Sequence, residues 1–558
     1  MDTDDAFSVN GPIKDDIKRC TCLAISSDGG HTFTKPNLGL VSFNGSTQNN
    51  IVMPRNKTSW SSGTVFEDEN PAAPPDEKFK LIALWNPDTH KNEDDGQTWT
   101  FASPDGIDFH PLSAGPVYKN SDTQDVTLFD PSLGKYIAFR RLHQPQSRQC
   151  ATCAGTAIRH APPPSPPSHW KTFGCAYQHG NSCPAPSAPL KCSSTADCNP
   201  LNFSDPTCDG VRISCLPSGV CGAAGKGAGG IACMEHCVDH TCTTVDPSAP
   251  PGWCGTGSAA ERFVGRCETD DLREIVGCDE GLPANQTKYT TSFGPDADDS
   301  PCVDIYTSQI VIYEGVYLAF PGAYEHFPEP PAWPVSNDGW YDTRILASRN
   351  GATNWSYVAN DRGSFMGRGH ADAPPLPASS GCLNCSDPRT WRESMVAAVR
   401  GLVVTETEIK MFAWGGRCRH GQDLCGAYDE GGDGAIAPVT IRRDGFGSIG
   451  SASTSWREPG LFTTTLVKVT GKTLLLNAVS SNGGGIRVAI LPKAAATTTP
   501  AANRSLAACL KVGSDVLSAP VTWGGAHDAG GDLSDLLGQS VQLQFELISA
   551  QLFSYRFE

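Results

Sequence analysis

The sequence predicts an all-β protein: a five-bladed β-propeller with a disulfide-rich insertion and a C-terminal β-sandwich. Three observations lead to this prediction. A strand-and-turn signal recurs along the chain, no long stretch has helical period, and turn-forming residues are abundant. The 558 residues include 57 glycines and 43 prolines, as is typical of short strands joined by many turns.

The clearest unit lies between Asp304 and Trp355. It opens with a run rich in β-branched and aromatic residues, and Glu314-Gly315 then predicts a tight turn. A returning strand, a long loop and a further strand that ends at Asn350-Gly351 follow. These segments predict a four-stranded antiparallel unit, the size of one propeller blade.

The same signal recurs along the chain, and five copies predict five blades. Each copy is a strand-like run followed by Asp-Gly or a related pair, and most copies then have an aromatic residue. The interval before the third copy is out of scale because it contains the cysteine-rich insertion. The copies are centred on Gly29, Gly106, Asp271, Gly351 and Gly445.

The polar residues of these pairs are predicted to form turns and not to catalyse. Asp-Gly and Asn-Gly are the pairs that tight hairpins require, since both positions tolerate positive φ. The prediction applies to Asp28, Asp105, Asn350 and Asp444.

The predicted domains follow from changes in composition and strand pattern along the chain. Residues 1–20 form a disordered or truncated N-terminus, residues 21–456 the propeller, and residues 145–258 an insertion within it. Residues 457–558 contain alternating strands without the blade motif, which predicts a β-sandwich. A competing interpretation is that some of these strands complete the first blade, for which no inner strands are predicted before Cys22.

Cysteine usage predicts an oxidising compartment. The chain has 23 cysteines, of which 13 lie between residues 150 and 254, where strand patterning disappears. We expect disulfides to hold this insertion, and the odd total leaves one thiol unpaired or intermolecular. Two groups suggest zinc ligands, but neither has a second pair at zinc-ribbon spacing and the surrounding cysteines are too numerous, so no metal site is assigned. They are Cys150 with Cys153, and the cluster of Cys233, His236, Cys237, His240 and Cys242.

The chain is predicted to be extracellular. Sequons for N-glycosylation fit this compartment. The acidic start at Met1 does not have the pattern of a signal peptide, so we expect a truncated N-terminus.

No membrane span is predicted, because the sequence has no run of eighteen apolar residues. A net charge of -17 argues against nucleic acid as a partner, and we expect a monomer. The sequons are at Asn44, Asn56, Asn202, Asn285, Asn354, Asn384 and Asn503.

No cofactor is predicted, except that structural calcium is possible. The acidic segments 67–69 and 296–299 have the oxygen ligands that calcium prefers. The alternative for both segments is a solvated acidic surface.

Several motifs resemble one known family. Ser27-Asp28-Gly29, Ser103-Pro104-Asp105-Gly106 and Arg443-Asp444-Gly445-Phe446 resemble secreted five-bladed propeller proteins related to glycoside hydrolase family 32, in the clan of the invertase-, levansucrase- and arabinanase-like enzymes. The resemblance covers most of the chain outside the insertion, and it implies a propeller plus a sandwich. Two departures weaken what it implies about activity. The first inner strand, where the clan's enzymes place one acid, is missing, and the invertase signatures are not found as such.

Carboxylates at the starts of the inner strands are the candidate catalytic residues. In a propeller these positions surround the central axis, and glycosidic cleavage requires two carboxyl groups with different roles. The candidates are Asp122 or Asp125, Asp304 and Glu393. Asp122 and Asp125 are three residues apart, so a regular strand would direct only one of them inward. The alternative for each acid is a turn or strand-end cap.

Candidate substrate-binding residues lie on strands and loops near the same axis. Arginines there could bind sugar hydroxyls, a carboxylate or a sulfate, and aromatic rings could stack on a sugar face. Structural ion pairs and packed loop anchors are the alternatives. The candidates are Asn50, Arg141, Arg266, His326, Trp340 and His370.

The sequence therefore predicts an extracellular glycoside hydrolase-like protein that cleaves a poly- or oligosaccharide. The alternative is a noncatalytic carbohydrate-binding or extracellular-matrix propeller protein. Convergence of three carboxyl groups would favour hydrolysis, and one or none would favour binding. A sialidase-like enzyme is a third hypothesis, and no arginine triad with a nucleophilic tyrosine is evident to support it.

Overall fold

The computed structural model divides the chain into two compact units. Unit 1 comprises residues 1–401 and 412–437, and unit 2 comprises residues 402–411 and 438–558. The residues that the structure describes are 20–53, 59–86, 97–119, 125–145, 212–215, 221–224, 260–279, 285–296, 298–299, 303–326, 339–358, 362–368, 392, 395–416, 434–451, 453–455, 457–492, 500–501, 503–524 and 530–558.

The described residues form β-strands and no α-helix, which confirms the all-β prediction. The short 3-10 helices Pro75–Glu77 and Ser534–Leu536 accompany the strands. None of the described helices has the length and apolar character that crossing a membrane requires. The strands are β1 Thr21–Cys22, β2 Ile51–Met53, β3 Ser59–Glu67, β4 Phe79–Asn86, β5 Gln97–Ser103, β6 His110–Pro111, β7 Tyr118–Lys119, β8 Val126–Asp130, β9 Lys135–Pro145, β10 Arg212–Cys215, β11 Cys221–Ala224, β12 Ala260–Thr269, β13 Thr290–Phe293, β14 Val303–Tyr313, β15 Val316–His326, β16 Gly339–Thr343, β17 Leu346–Ser348, β18 Ser356–Tyr357, β19 Met395–Val404, β20 Glu408–Gly416, β21 Gly434–Arg442, β22 Ile449–Ser451, β23 Gly460–Thr463, β24 Val467–Lys468, β25 Leu474–Pro492, β26 Val516–Pro520 and β27 Ser540–Phe557.

Three sheets of unit 1 follow chain order. Sheet A is β3-β4-β5-β6, with β7 also on β5, and sheet B is β8-β9-β12-β13. In sheet C, β14 pairs with β15, β15 with β17 and β17 with β18, all antiparallel. Four antiparallel strands paired in chain order are the pattern predicted for a blade, while the number of blades and their closure into a ring remain predictions.

The long loop predicted from His326 through Trp340 needs a correction at both ends, because His326 ends β15 and Trp340 lies in a strand. The segment Gly339–Thr343 is a strand, β16, which pairs with the second half of β15 and continues the sheet to β19. The β14 strand has a register shift between Tyr306 and Gln309, and β15 is long enough to pair with β17 at one end and β16 at the other.

Adjacent sheets pack face to face through alternating side chains. On β9, Ala138 contributes to a cluster with Phe66 of sheet A, whereas the next residue, Phe139, contributes to a cluster with Ile305 of sheet C. Because successive side chains of a strand point to opposite faces, sheet B has two buried faces. This explains why all five residues of β8 are buried.

The predicted turns share one hydrogen-bond arrangement, in which a serine precedes the turn. The Ser103 hydroxyl donates to the Asp105 carboxylate at 2.9 Å and accepts the Gly106 N–H at 3.0 Å. The same carboxylate accepts the N–H groups of Ile107 and Asp108 at 2.8 and 2.9 Å. The bonds from these two backbone groups lower the pKa of Asp105. At φ 75°, Gly106 adopts the left-handed conformation that favours glycine.

The same arrangement recurs at the first and fourth copies of the repeat. Ser26 donates to Asp28 at 2.8 Å, and Ser348 contacts Asn350 Oδ1 at 3.0 Å. The turn role predicted for these residues is thereby confirmed. The aromatic residue that follows the fourth copy, Trp355, packs against Phe293 with a centroid distance of 4.9 Å.

In unit 2, the two long strands β25 and β27 form the centre of a sheet. The order is β22-β27-β25-β26, with β23 and β24 also on β27. The sequence predicts separate strands on either side of residues 479–485, but β25 runs through, with a register shift between Ser480 and Gly485. A core of aliphatic residues around Phe545 and Trp523 holds this unit, and a two-sheet sandwich remains a prediction.

Candidate functional site

A buried polar cluster lies where sheet B meets sheet C in unit 1. It contains two arginines, one carboxylate and three tyrosines, all buried. We call it the Arg–Tyr cluster. Its members are Arg141 of β9, Arg262 of β12, Asp304 and Tyr306 of β14, Tyr324 of β15 and Tyr341 of β16.

Strand register places both arginines on the same face of sheet B. Arg141 pairs with Val264, and Arg262 lies two residues before Val264 on the same strand. Side chains two residues apart share a face, so Arg141, Val264 and Arg262 face the same way. A guanidinium buried at an otherwise apolar interface requires polar partners.

Asp304 provides the closest of these partners. The Arg262 Nη1 donates to Asp304 Oδ2 at 2.5 Å, and the Arg262 backbone N–H donates to Oδ1 at 3.2 Å. Both oxygens of the carboxylate are therefore engaged, and a guanidinium at this distance stabilises its ionised form. Burial opposes the charge of Arg262, but Tyr306 and Asp304 together raise the pKa of the guanidinium.

Tyr306 is the common neighbour of the cluster. The Arg141 and Arg262 guanidinium carbons lie 5.2 and 5.3 Å from its ring centroid, within the range of cation–π attraction. Its ring also meets those of Tyr324 and Tyr341 edge-on, at centroid distances of 5.5 and 5.7 Å. One ring therefore connects both arginines to the other tyrosines.

A glycine makes room for Tyr341. A Cβ added to Gly322 would lie 1.8 Å from Tyr341 Cζ, so the phenol occupies the space that any other side chain would fill. Burial raises the pKa of Tyr341, with a further contribution from Tyr306. Met395 and Ala397 of β19 pack against the tyrosines from the next strand.

Asp125 belongs to a different network, between sheets A and B. It is 1% exposed, and its carboxylate accepts the Thr98 hydroxyl at 3.2 Å. Its carbonyl oxygen accepts the Thr64 hydroxyl. Burial and the nearby Asp125 carboxylate raise the pKa of Tyr118 well above its ordinary value. The Arg140 guanidinium carbon lies 4.3 Å from the Tyr118 ring centroid.

Arg266 is held in a structural ion network. Its Nη1 donates to Glu268 at 2.5 Å. Tyr317, whose hydroxyl donates to Asp130, also interacts with Arg266 through a side-chain hydrogen bond. These contacts account for the burial of Arg266 and match the structural alternative considered for it.

Trp340 and Asn50 also have structural contacts. Trp340 is 8% exposed, and the Arg368 guanidinium carbon lies 4.1 Å from its ring centroid. Arg368 donates in turn to Asp342 at 3.2 Å. The Asn50 amide donates to the Leu23 carbonyl at 2.7 Å.

The remaining predicted site residues lie wholly or partly outside the described residues. Asp122, Glu393 and His370 are among the residues that the structure does not describe. The backbone of His326 pairs with Gly339 at the end of β15, and its side chain is outside the description.

Sequence reasoning selected two of the six cluster residues, Asp304 and Arg141. It does not single out Arg262 or the three tyrosines, which lie within β12, β14, β15 and β16. A detectable signal was present: Arg262, Val264 and Arg266 alternate on one strand, so two arginines share a face with a core valine.

Among the described residues, no group of three or more His, Cys, Asp or Glu side chains could hold a metal ion. The two segments considered for calcium have basic partners instead. Arg362 donates to Asp296 at 2.5 Å and to Asp298 at 3.1 Å, and Lys80 contacts Asp68 at 2.9 Å.

Comparisons with known proteins give weak similarities. No family model and no curated protein matches the chain. A thermostable family-43 glycoside hydrolase shares 10% identity over 69% of this chain and 71% of its own, with a TM-score of 0.26. A fructofuranosidase from Schwanniomyces occidentalis complexed with fructose shares 8% identity over 96% of this chain and 88% of its own, with a TM-score of 0.28. TM-scores this low establish neither a shared fold nor a shared activity.

Proposed function

We propose that this protein is an extracellular glycoside hydrolase-like protein and that the Arg–Tyr cluster is part of its site. The supporting observation is the position of Asp304, a carboxylate at the start of β14 that Arg262 holds among buried aromatic rings. Residues from β9, β12, β14, β15 and β16 contribute to this cluster, so it gathers side chains from distant parts of the sequence.

The contacts of Asp304 favour one of the two roles that glycosidic cleavage requires. A carboxylate stabilised by a guanidinium is suited to act as nucleophile or base, because it stays ionised. The general acid must then be a different carboxyl group that binds a proton at neutral pH. We propose Glu393 for that role and Asp122 as the third acid, because Asp125 belongs to the separate network between sheets A and B. Arg141 would donate to sugar hydroxyls beside Tyr306.

A second candidate function is noncatalytic carbohydrate binding. The observation that favours it is the double engagement of Asp304, whose two oxygens are both bonded to Arg262. A nucleophile needs at least one oxygen lone pair directed at the anomeric carbon, so this contact would have to open on substrate binding.

Hydrolysis of a glycan panel by the purified protein separates these candidates. We expect Asp304→Asn and Glu393→Gln each to reduce turnover by about 100-fold or more. Asp130→Asn is the matched control, because Asp130 is also buried and its carboxylate also accepts a side-chain hydrogen bond, here from Tyr317 outside the cluster. Turnover retained in both test variants would refute the assignment, and binding without turnover in the wild type would favour the second candidate.

Secretion and glycosylation belong to the same proposal. A disulfide joins Cys267 of β12 to Cys278, which is consistent with an oxidising compartment. The four sequon asparagines in the described residues are exposed: Asn44, Asn285, Asn354 and Asn503.

Peptide mapping after enzymatic deglycosylation tests this part of the proposal. We expect conversion of the sequon asparagines to aspartate in protein secreted from a eukaryotic host. Asn482 is the control, because it is exposed and has positive φ but lacks a hydroxyl residue two positions later. Absence of conversion at all four described sequons would contradict glycosylation.

A further inference from the structure

Two cysteines lie close together at the first strand of unit 1. The Cys20 and Cys22 sulfurs are 3.6 Å apart, and no disulfide joins them. In a regular strand, residues two apart share a face but are spaced too widely for this contact. A register shift in the pairing of β1 with β2, between Thr21 and Cys22, accompanies the approach. Local irregularity therefore brings the two sulfurs together.

The two thiols have different environments. Cys20 is buried with Val41 and Ile51, whereas Cys22 is only half-buried. The hydrogen bond with Cys20 lowers the pKa of Cys22 to about 7, against the effect of burial and with help from Lys35. An accessible thiol with a low pKa beside a buried one is the arrangement of an attacking and a resolving cysteine.

Cys509 of unit 2 has a raised thiol pKa, in contrast to Cys22. It is 4% exposed, and its sulfur accepts the Val488 N–H at 3.2 Å. Burial raises the pKa of Cys509 to about 11. A buried thiol of this kind is inert, so Cys509 is a control within the same chain.

We propose that Cys20 and Cys22 form a redox-active dithiol that closes reversibly to a disulfide by exchange with a small disulfide compound. The Cys22 thiolate attacks one sulfur of that compound, whose other sulfur leaves as a thiolate. The Cys20 thiol then loses its proton and attacks the Cys22 sulfur, which displaces the second thiolate. Two electrons pass from the dithiol to the compound, and closure requires the sulfurs to approach from 3.6 Å to about 2.05 Å.

Glutathione redox buffers and mass spectrometry of nonreduced peptides test the proposal on the full chain. We expect the peptide with Cys20 and Cys22 to lose two hydrogens in oxidised glutathione and to regain them in reduced glutathione, while Cys509 stays a thiol. Cys20→Ala should accumulate a glutathione adduct on Cys22, because the resolving thiol is gone. Cys22 bonded to a different cysteine of the chain, or no adduct in Cys20→Ala, would overturn the proposal.

Alkylation of the wild-type protein provides a measurement that does not depend on how the variant folds. The rate at Cys22 should rise with pH to half its maximum near pH 7, following the pKa of its thiol at about 7. At Cys509 alkylation should be negligible below pH 9. Equal rates at the two thiols would also overturn the proposal.

Discussion

The Arg262–Asp304 ion pair allows a quantitative test of the site's structure. The two side chains are 7% and 9% exposed, and the Nη1–Oδ2 distance is 2.5 Å. Removing one member of a buried pair leaves the other charge in a poorly solvated position, which typically costs about 3–5 kcal/mol. We therefore expect Arg262→Met and Asp304→Leu each to lower the free energy of unfolding of unit 1 by that amount.

The double variant should lose much less than the sum of the single losses, because replacing both charges by apolar groups avoids an unpaired buried charge. Urea unfolding followed by tryptophan fluorescence measures all three changes. Lys78→Met is the control, because Lys78 and Glu67 are also an ion pair, at 3.0 Å, but are 51% and 60% exposed. An exposed pair contributes about 0–1 kcal/mol. Single losses at Arg262 or Asp304 that are no larger than in this control would refute the buried pair.

Three further predictions concern the turns and the glycine beneath Tyr341. Ser103→Ala should cost about 1–2 kcal/mol in urea unfolding, because two backbone N–H groups lose their acceptor; a loss below about 0.3 kcal/mol would contradict it. Gly322→Ala should cost about 1–3 kcal/mol and displace Tyr341, which near-ultraviolet circular dichroism detects; an unchanged spectrum would be inconsistent with the packing. The lowered pKa of Asp105 means that its ionised form stabilises the fold above about pH 4 and that this contribution is lost as pH falls further. The stability advantage of the wild type over Asp105→Asn should accordingly shrink between about pH 5 and pH 2, and a constant difference would contradict the assignment.

The turns and the all-β secondary structure could be predicted from sequence because their causes are local. Asp105-Gly106 needs a residue that accepts nearby N–H groups and a residue that tolerates positive φ, and both requirements are visible in the sequence. The β16 strand was not predicted, because it forms by pairing with β15 and β19, and sequence patterns do not show such tertiary pairing. Its own sequence, Gly-Trp-Tyr-Asp-Thr, combines two aromatic residues with a glycine and an aspartate, which fits a loop as well as a strand.

The site was predictable only in part, since burial of polar residues is decided by contacts between distant strands. Asp304 could be selected from its place at a strand start. The position of Arg262 opposite it, 42 residues earlier in the chain, follows from the packing of sheet B on sheet C. The predicted loop position of Trp340 suggests stacking on a sugar face, but the Arg368 guanidinium lies over its ring.

A crystal structure of the Asp304→Asn variant with an oligosaccharide that the wild type cleaves tests the central claim most directly. The account predicts that the scissile glycosidic bond lies within about 3.5 Å of the side chain at position 304 and that Arg141 donates to the sugar. An oligosaccharide bound away from sheets B and C, with the contacts of the Arg–Tyr cluster unchanged, would contradict it.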